Sequence, residues 1–152
     1  MSLRLLFVCT GNICRSPTAE AVMRKLVDDA GLGAEFAIDS AGTGTWHLGE
    51  PPQPLASVVA AKHGYTLGGT ARRVMPGDFD DFDIVVALDR THLRHLRDMT
   101  LDLESRLKVR MLLDDEDVPD PYGGTEADFE RSFEVIERGC LELFAELTAA
   151  PF

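Results

Sequence analysis

The stretch LLFVCTGNICRSP occupies residues 5–17. Its first four residues form an uninterrupted apolar run, which is typical of a buried strand, and residues 17–30 after it have the apolar spacing of a helix. Cys9 therefore stands where a strand ends, and Arg15 stands where a helix begins. This segment predicts an anion-binding loop that contains a nucleophile.

The loop between these two residues suits a tetrahedral oxyanion. Its backbone N–H groups can point inward, and the first turn of the helix adds unpaired donors and the positive end of the helix dipole. The guanidinium of Arg15 can hold two phosphoryl oxygens at once. Because helix N-termini and arginine both favour the thiolate form of cysteine, we expect Cys9 to be a nucleophile near neutral pH.

The other loop residues indicate a tight cradle. Gly11 permits a positive φ, Asn12 tolerates one, and the Asn12 amide can hydrogen-bond within the loop. Ser16 is expected to cap the helix, with Pro17 at its first position, and to donate a hydrogen bond to the Cys9 thiolate. A lone cysteine at a strand end is usually a small buried residue, but this combination favours a phosphate site. The expected phosphate-binding residues are Thr10, Gly11, Asn12, Ile13, Cys14 and Ser16.

Four segments resemble the low-molecular-weight protein tyrosine phosphatases: FVCTGNICRSP at 7–17, DSAGTGTWHLGEPP at 39–52, ALD at 87–89 and DPY at 120–122. The resemblance covers nearly the whole chain. It implies hydrolysis of phosphotyrosine in a protein substrate, with inorganic phosphate as product. It also implies that Cys9 is the nucleophile, Arg15 binds the phosphate, and Asp120 is the general acid that later activates water. Members with both cysteines can pair them reversibly, so Cys14 is the expected redox partner of Cys9.

The residues alone only partly identify the acid. Asp120 ends an acidic run over residues 114–120 in which most carboxylates are expected to be solvated. Two flanking prolines stiffen its backbone, and Tyr122 places a ring beside it. Trp46 and Tyr122 could each be core aromatics, but two aromatic rings beside a deep cradle would suit the ring of phosphotyrosine.

The chain departs from the family pattern at two positions. Gly123 stands where members often carry a second, phosphorylatable tyrosine, so that regulatory input is in doubt. Gly69 stands where many carry a histidine that braces the loop asparagine. Asn12 is therefore expected to rely on Ser40 and Ser16.

Three alternative functions stay open. An arsenate reductase needs further cysteines to carry a disulfide outward, and only Cys140, on an apolar helix stripe, is left. A phosphoarginine phosphatase has threonine where Ile13 stands. A non-catalytic phosphoprotein-binding module would be expected to lose Cys9 or Asp120.

His92 and His95 lie one helical turn apart, but no third metal ligand is evident, and we expect them to lie on a solvated face.

Strands and helices alternate along the chain. The spacing predicts strands over residues 3–9, 35–40, 84–88 and 109–113, and helices over 17–30, 51–63, 90–97 and 127–147. We therefore expect one α/β domain over residues 1–152, with three layers: a four-stranded parallel sheet and helices on both faces. The phosphate-binding loop follows the first strand. The site should lie at the carboxyl ends of the strands, where Cys9, Ser40 and Asp89 fall. The last helix has an apolar stripe, including Cys140, that should pack on the sheet.

Composition and charge limit the classes of partner. The formal charge of −11 opposes nucleic acid and anionic membranes. No stretch reaches about 18 apolar residues, and residues 1–8 are too short for a signal peptide, so we expect a cytoplasmic enzyme, although export without a signal stays open. Three cysteines give neither a disulfide framework nor zinc-ligand spacing. No metal or cofactor is expected, and we expect a monomer.

Overall fold

The computed structural model describes residues 2–149. Its sheet contains four strands, β1 (Leu3–Cys9), β2 (Phe36–Gly42), β3 (Ile84–Ala87) and β4 (Val109–Met111), in the order β2-β1-β3-β4. All three pairings are parallel, with Cys9 opposite Gly42 and Val8 opposite Ala87. The carboxyl ends of the strands therefore lie at one edge, as the predicted α/β fold requires.

Six helices are present within residues 2–149: α1 (Arg15–Asp29), α2 (Pro54–Lys62), α3 (Asp78–Asp81), α4 (Arg90–Met99), α5 (Leu103–Leu107) and α6 (Glu126–Thr148). A short 3₁₀ turn, Gly33–Glu35, precedes β2. None of the helices in this part of the chain is long and apolar enough to span a bilayer.

Side chains of β1 alternate between the two faces of the sheet. Leu5 and Phe7 pack in one core with residues of α1, α2 and α6, and Leu6 and Val8 pack in a second core with residues of α3 and α4. All four side chains are fully buried. Burying a side chain of this size contributes roughly 1.5–3 kcal/mol, so both layers of helices are held by this strand. The three-layer architecture is confirmed.

Two short helices were not predicted, and the contacts of the last helix differ in part from the prediction. The sequence pattern missed α3 and α5, which have four and five residues and are too short to show a helical period. Helix α6 lies closest to α1 and α2, and its buried side chains share one core with Leu5 and Phe7 of β1. The Cys140 thiol points at the Ala19 carbonyl of α1, at 3.7 Å. Gly139 brings α6 near the sheet beside Leu112, because a Cβ there would lie 2.6 Å from the Leu112 Cγ.

Candidate active site

The loop after β1 wraps the Cys9 thiol in hydrogen-bond donors. The Asn12 backbone N–H donates to the Cys9 Sγ at 3.3 Å, and the Ser16 Oγ lies 2.9 Å from the same sulfur. The predicted Ser16 contact is therefore present, but the predicted helix cap is not. Helix α1 begins at Arg15, its N-cap residue is Cys14, and no side chain caps it. The first turn of α1 thus begins inside the loop, so its N–H groups are close to the thiol.

Asn12, rather than Gly11, takes the left-handed backbone conformation in this loop, with a φ of 57°. Its side-chain Nδ2 donates to Ser16 Oγ at 2.8 Å and to Ser40 Oγ at 3.0 Å, the two partners that the sequence indicated. Its Oδ1 accepts from the Arg72 backbone N–H at 3.0 Å. This last contact was not predicted. Because Asn12 and Ser16 are buried, these bonds fix the loop from behind the thiol.

Two glycines allow the loop to lie close to its neighbours. A Cβ on Gly42 would stand 2.6 Å from the Thr10 carbonyl oxygen, and one on Gly11 would stand 3.0 Å from the His47 ring. The role of Gly11 is therefore close packing, since its φ is not positive. Strand β2 continues to Gly42, so Ser40 lies inside the strand rather than at its end. The N–H of Thr43 then donates to the Cys9 carbonyl at 2.9 Å.

Arg15 is buried, with 3% of its surface exposed, and its Nη1 atom is fully used by the protein. That nitrogen donates to Asp89 Oδ2 at 2.8 Å and to the Val118 carbonyl at 2.9 Å. Burial opposes ionisation of Asp89, but the His92 backbone N–H, the His92 ring and Arg15 outweigh it and lower the pKa of the carboxyl. An ionised Asp89 therefore holds the guanidinium in place and leaves its Nη2 side to face Asp120.

His92 is buried under the loop, with 1% of its surface exposed, so the expected solvated face is wrong for this residue. Its Nε2 lies 2.8 Å from Thr10 Oγ1 and 3.4 Å from Arg15 Nη2. Burial, with a smaller contribution from Arg15, lowers its pKa to about 4, so the ring is neutral at pH 7. The sequence carried a signal for this position. His92 stands four residues before the buried Leu96 and shares its helix face, whereas His95 is exposed.

Arginine has only donors, so His92 Nε2 accepts from Arg15, and the ring proton is assigned to Nδ1. Nδ1 is buried and makes no hydrogen bond within residues 2–149 that meets the usual geometric limits, although Asp89 Oδ1 lies 3.2 Å away. Asp89 Oδ1 also accepts from the His92 backbone N–H at 3.0 Å, which caps α4. Thr10, Arg15, Asp89 and His92 thus form one connected group.

A cavity of about 360 Å³ opens above the loop. It brings together all three predicted catalytic residues and both predicted aromatics. Asp120 Oδ2 lies 3.7 Å from Arg15 Nη2, and Asp120 Oδ1 accepts from the Tyr122 backbone N–H at 3.1 Å. Trp46 and Tyr122 are largely exposed, as pocket walls rather than core residues. The lining residues are Cys9, Thr10, Gly11, Ile13, Cys14, Arg15, Trp46, His47, Asp120 and Tyr122.

The predicted residues outside this lining, Asn12, Ser16 and Ser40, lie behind the loop and support it. His47 was not predicted. Its ring centroid lies 5.4 Å from that of Tyr122, at the mouth of the cavity. The only signal for His47 was its place in the turn-rich segment beside Trp46. Within residues 2–149 no group of three His, Cys, Asp or Glu side chains is arranged to hold a metal ion.

The three cysteines are buried free thiols in this structure. Cys14 lines the cavity beside Cys9. Burial, followed by repulsion from Cys9 and Asp120, raises the pKa of Cys14 to about 12, against the opposing effect of Arg15. Burial also raises the pKa of Cys140. Cys14 is therefore a neutral thiol at pH 7.

The sequence profile of the family described as "Low molecular weight phosphotyrosine protein phosphatase" matches residues 4–150. A low molecular weight protein-tyrosine-phosphatase of Streptomyces coelicolor is 48% identical over 95% of this chain and 93% of its own length. The solved structure of a protein tyrosine phosphatase from Entamoeba histolytica has a TM-score of 0.92 and 36% identity, covering 96% of this chain and 97% of that one. YfkJ from Bacillus subtilis has a TM-score of 0.89 and 39% identity, covering 97% and 95%.

Proposed function

The chain belongs to the low-molecular-weight phosphotyrosine protein phosphatases and is a protein tyrosine phosphatase, a hydrolase, and on that premise we propose a role for each residue of the cavity. Cys9 attacks the phosphorus, Arg15 binds the phosphoryl oxygens, and Asp120 transfers the proton. The observation that carries this proposal is that Cys9, Arg15 and Asp120 line one cavity, with Arg15 fixed from behind by Asp89.

Phosphate binds in the loop through the inward N–H groups and the Nη2 side of the Arg15 guanidinium, which faces Asp120. Nη1 is held by Asp89 and Val118, so Arg15 does not have to be ordered when substrate arrives. A donor that is fixed before the reaction stabilises the negative charge on the equatorial oxygens without reorganisation in the transition state. Asp89 and His92 are therefore positioning residues for Arg15.

In the first step the Cys9 thiolate forms the sulfur–phosphorus bond while the bond between phosphorus and the tyrosyl oxygen breaks. Asp120 donates its proton to that oxygen, because a phenolate is a poor leaving group at neutral pH. In the second step the Asp120 carboxylate takes a proton from water. The water oxygen bonds to phosphorus, the sulfur–phosphorus bond breaks, and phosphate leaves with the thiolate restored.

The shape of the mouth supports selectivity for phosphotyrosine. Trp46 and Tyr122 stand on the rim, and Ile13 lines the wall, so the phosphorylated ring can lie between apolar surfaces while its phosphate reaches the loop. Ile13 also favours phosphotyrosine over phosphoarginine. Cys140 is fully buried against α1, which disfavours the thiol relay of an arsenate reductase.

The experiment measures hydrolysis of p-nitrophenyl phosphate and of matched phosphotyrosine and phosphoserine peptides in EDTA. The wild type should hydrolyse the first two and strongly prefer phosphotyrosine to phosphoserine. Cys9→Ser should be inactive, and Cys140→Ser should be close to wild type as the control for loss of a thiol. Full activity of Cys9→Ser would contradict the assignment.

We also propose that the enzyme is redox-sensitive. Peroxide oxidises the Cys9 thiolate to a sulfenic acid, and the Cys14 sulfur displaces water from it to form a disulfide that a thiol reductant opens. Support comes from the position of both thiols in one loop and one cavity. The raised pKa of Cys14 partly reflects the negative Cys9, and that repulsion disappears once Cys9 is oxidised.

We propose that the enzyme is a cytoplasmic monomer and that its 152 residues act as one catalytic domain. The net charge of −11 disfavours nucleic acid and anionic membranes as partners. Sedimentation of the purified protein at two concentrations tests the oligomeric state. A dimer at micromolar concentration would overturn the monomer proposal.

A further inference from the structure

A second cavity, of about 280 Å³, lies between α4 and α5. We call it the arginine cleft, and its lining consists of Arg90, Leu93, Arg94, Arg97, Asp98 and Arg106. Arg90, Arg94 and Arg97 are exposed and follow one another at intervals of four and three residues, so they lie on one face of α4. The buried His92 and Leu96 belong to the face turned inward. The cleft is therefore built on a helix that also positions the active site.

The arginines of this cleft are short of acidic partners in a strongly acidic chain. The sequence has 26 Asp and Glu against 15 Lys and Arg. Within residues 2–149 the lysine and arginine side chains that make no ion pair are Arg73, Arg94, Arg97, Arg106 and Lys108. The cleft holds three of them. Asp98 lies one turn after Arg94 without pairing with it, so the cleft keeps an excess of positive charge.

An exposed apolar surface adjoins the cleft. Leu103 and Leu107 are 69% and 74% exposed. Leu103 and Leu107 stand four residues apart, so they share one face of α5, and Leu103 stands one turn before Arg106. Exposed leucines beside unpaired arginines are typical of a surface that binds a protein segment rather than a free inorganic ion.

One end of the arginine cleft lies beside the loop that carries Asp120. The Arg90 backbone N–H donates to Asp117 Oδ1 at 3.0 Å, and its Nη2 donates to the Asp115 carbonyl at 3.2 Å. Both partners belong to the loop that carries Asp120. From Arg90, Arg97 lies about 10 Å farther along α4, at about 1.5 Å per residue. The arginine cleft therefore begins beside the loop that carries Asp120 and runs along α4 away from it.

We infer that the arginine cleft docks an acidic segment of the phosphotyrosine protein substrate. This inference rests on the phosphatase activity and adds a second recognition element to it. An extended chain covers about 3.5 Å per residue, so carboxylates roughly three to six residues from the phosphotyrosine reach the cleft. Membranes and nucleic acids are disfavoured because they present charge over a wide area to a chain of net charge −11. A short segment contacts only the cleft.

The test compares phosphotyrosine peptides of equal length that carry four glutamates or four glutamines at those distances, on either side of the phosphotyrosine. In low salt the wild type should have a higher kcat/KM for one glutamate peptide than for its glutamine counterpart. The double variant Arg94→Gln/Arg97→Gln should lose about threefold to tenfold of that kcat/KM, mainly through KM. Its kinetics with p-nitrophenyl phosphate and with the glutamine peptide should not change. Arg94→Glu/Arg97→Glu should instead favour a lysine-flanked peptide.

The matched control is Lys25→Gln/Arg131→Gln, which removes the same charge from exposed positions on α1 and α6. It should keep the wild-type preference. An unchanged ratio of glutamate to glutamine peptide in the Arg94→Gln/Arg97→Gln variant overturns the inference, and so does an equal loss in the control. Cosedimentation with phosphatidylserine vesicles that the double variant abolishes, with no change in the peptide ratio, assigns the cleft to membranes and also overturns it. Retained hydrolysis of p-nitrophenyl phosphate shows that the catalytic assignment stands in each case.

Discussion

Substituting the buried imidazole of His92 should change how folding stability depends on pH. Its pKa is lowered from 6.5 to about 4 in the folded protein, whereas the unfolded chain titrates near the ordinary value. Between these two pH values the unfolded state binds a proton that the folded state does not, so stability falls as the pH is lowered through this window. From pH 7 to pH 4.5 the wild type should lose about 2.5 kcal/mol of unfolding free energy through His92, taking about 1.36 kcal/mol per pKa unit.

His92→Gln should remove most of this pH dependence, since an amide does not titrate and its terminal group can still reach Thr10. Urea unfolding followed by far-ultraviolet circular dichroism at pH 7 and pH 4.5 measures it. The control is His95→Gln on the exposed side of α4, which should keep the wild-type loss. Asp89 contributes to the pH dependence of stability only at lower pH. Its pKa is lowered in the folded protein, so the stability that it contributes is lost only as the pH falls below 3.8, the pKa of the unfolded state. An equal loss of stability in His92→Gln and wild type would refute the placement of a neutral, buried imidazole.

Three other predictions concern residues of the cavity and its loop. Asp120→Ala should slow aryl phosphates by a factor on the order of 10² to 10⁴, most for poor leaving groups, whereas Asp117→Ala should be mild; steady-state rates across substituted phenyl phosphates decide between the two. Peroxide should inactivate Cys14→Ser, and thiol reductant should restore much less of its activity than of the wild-type activity. Equal recovery of activity would mean that Cys14 is only a packing residue. Gly42→Ala should lose about 1–3 kcal/mol in urea unfolding and most activity because its methyl group meets the loop backbone. Gly68→Ala, where a Cβ meets open space, should be neutral, and equal effects of the two glycine changes would contradict the close approach.

The parts of the site that were predictable are local in sequence. Cys9, Asn12, Arg15 and Ser16 fall within one loop and the start of one helix, so their spacing already constrains their geometry. The position of Asp120 over this loop came from the family resemblance, because an acidic run by itself does not distinguish a catalytic carboxylate from solvated ones. The alternation of strands and helices was enough to predict the parallel sheet and the position of the site at the carboxyl ends of its strands.

The features that sequence reasoning missed depend on contacts between distant segments. His92 was expected on a solvated face, because its spacing from Leu96 shows which helix face it shares but not that Thr10 and Arg15, from a distant segment, contact its ring. The Arg72 backbone reaches Asn12 from 60 residues away, and no local pattern records such a contact. The start of α1 moved from Pro17 to Arg15 because the loop itself supplies the first helical residues, which a rule based on N-cap side chains and proline does not anticipate.

The most direct test of the phosphocysteine mechanism is to locate the covalent intermediate. Wild-type enzyme mixed with excess phosphotyrosine peptide is quenched within milliseconds, digested, and analysed by fragment-ion mass spectrometry, which distinguishes the two cysteines of the loop. The proposed mechanism requires a phosphoryl group on Cys9 that decays as phosphate is released. A phosphoryl group on Cys14, or steady turnover with neither cysteine modified, would contradict it.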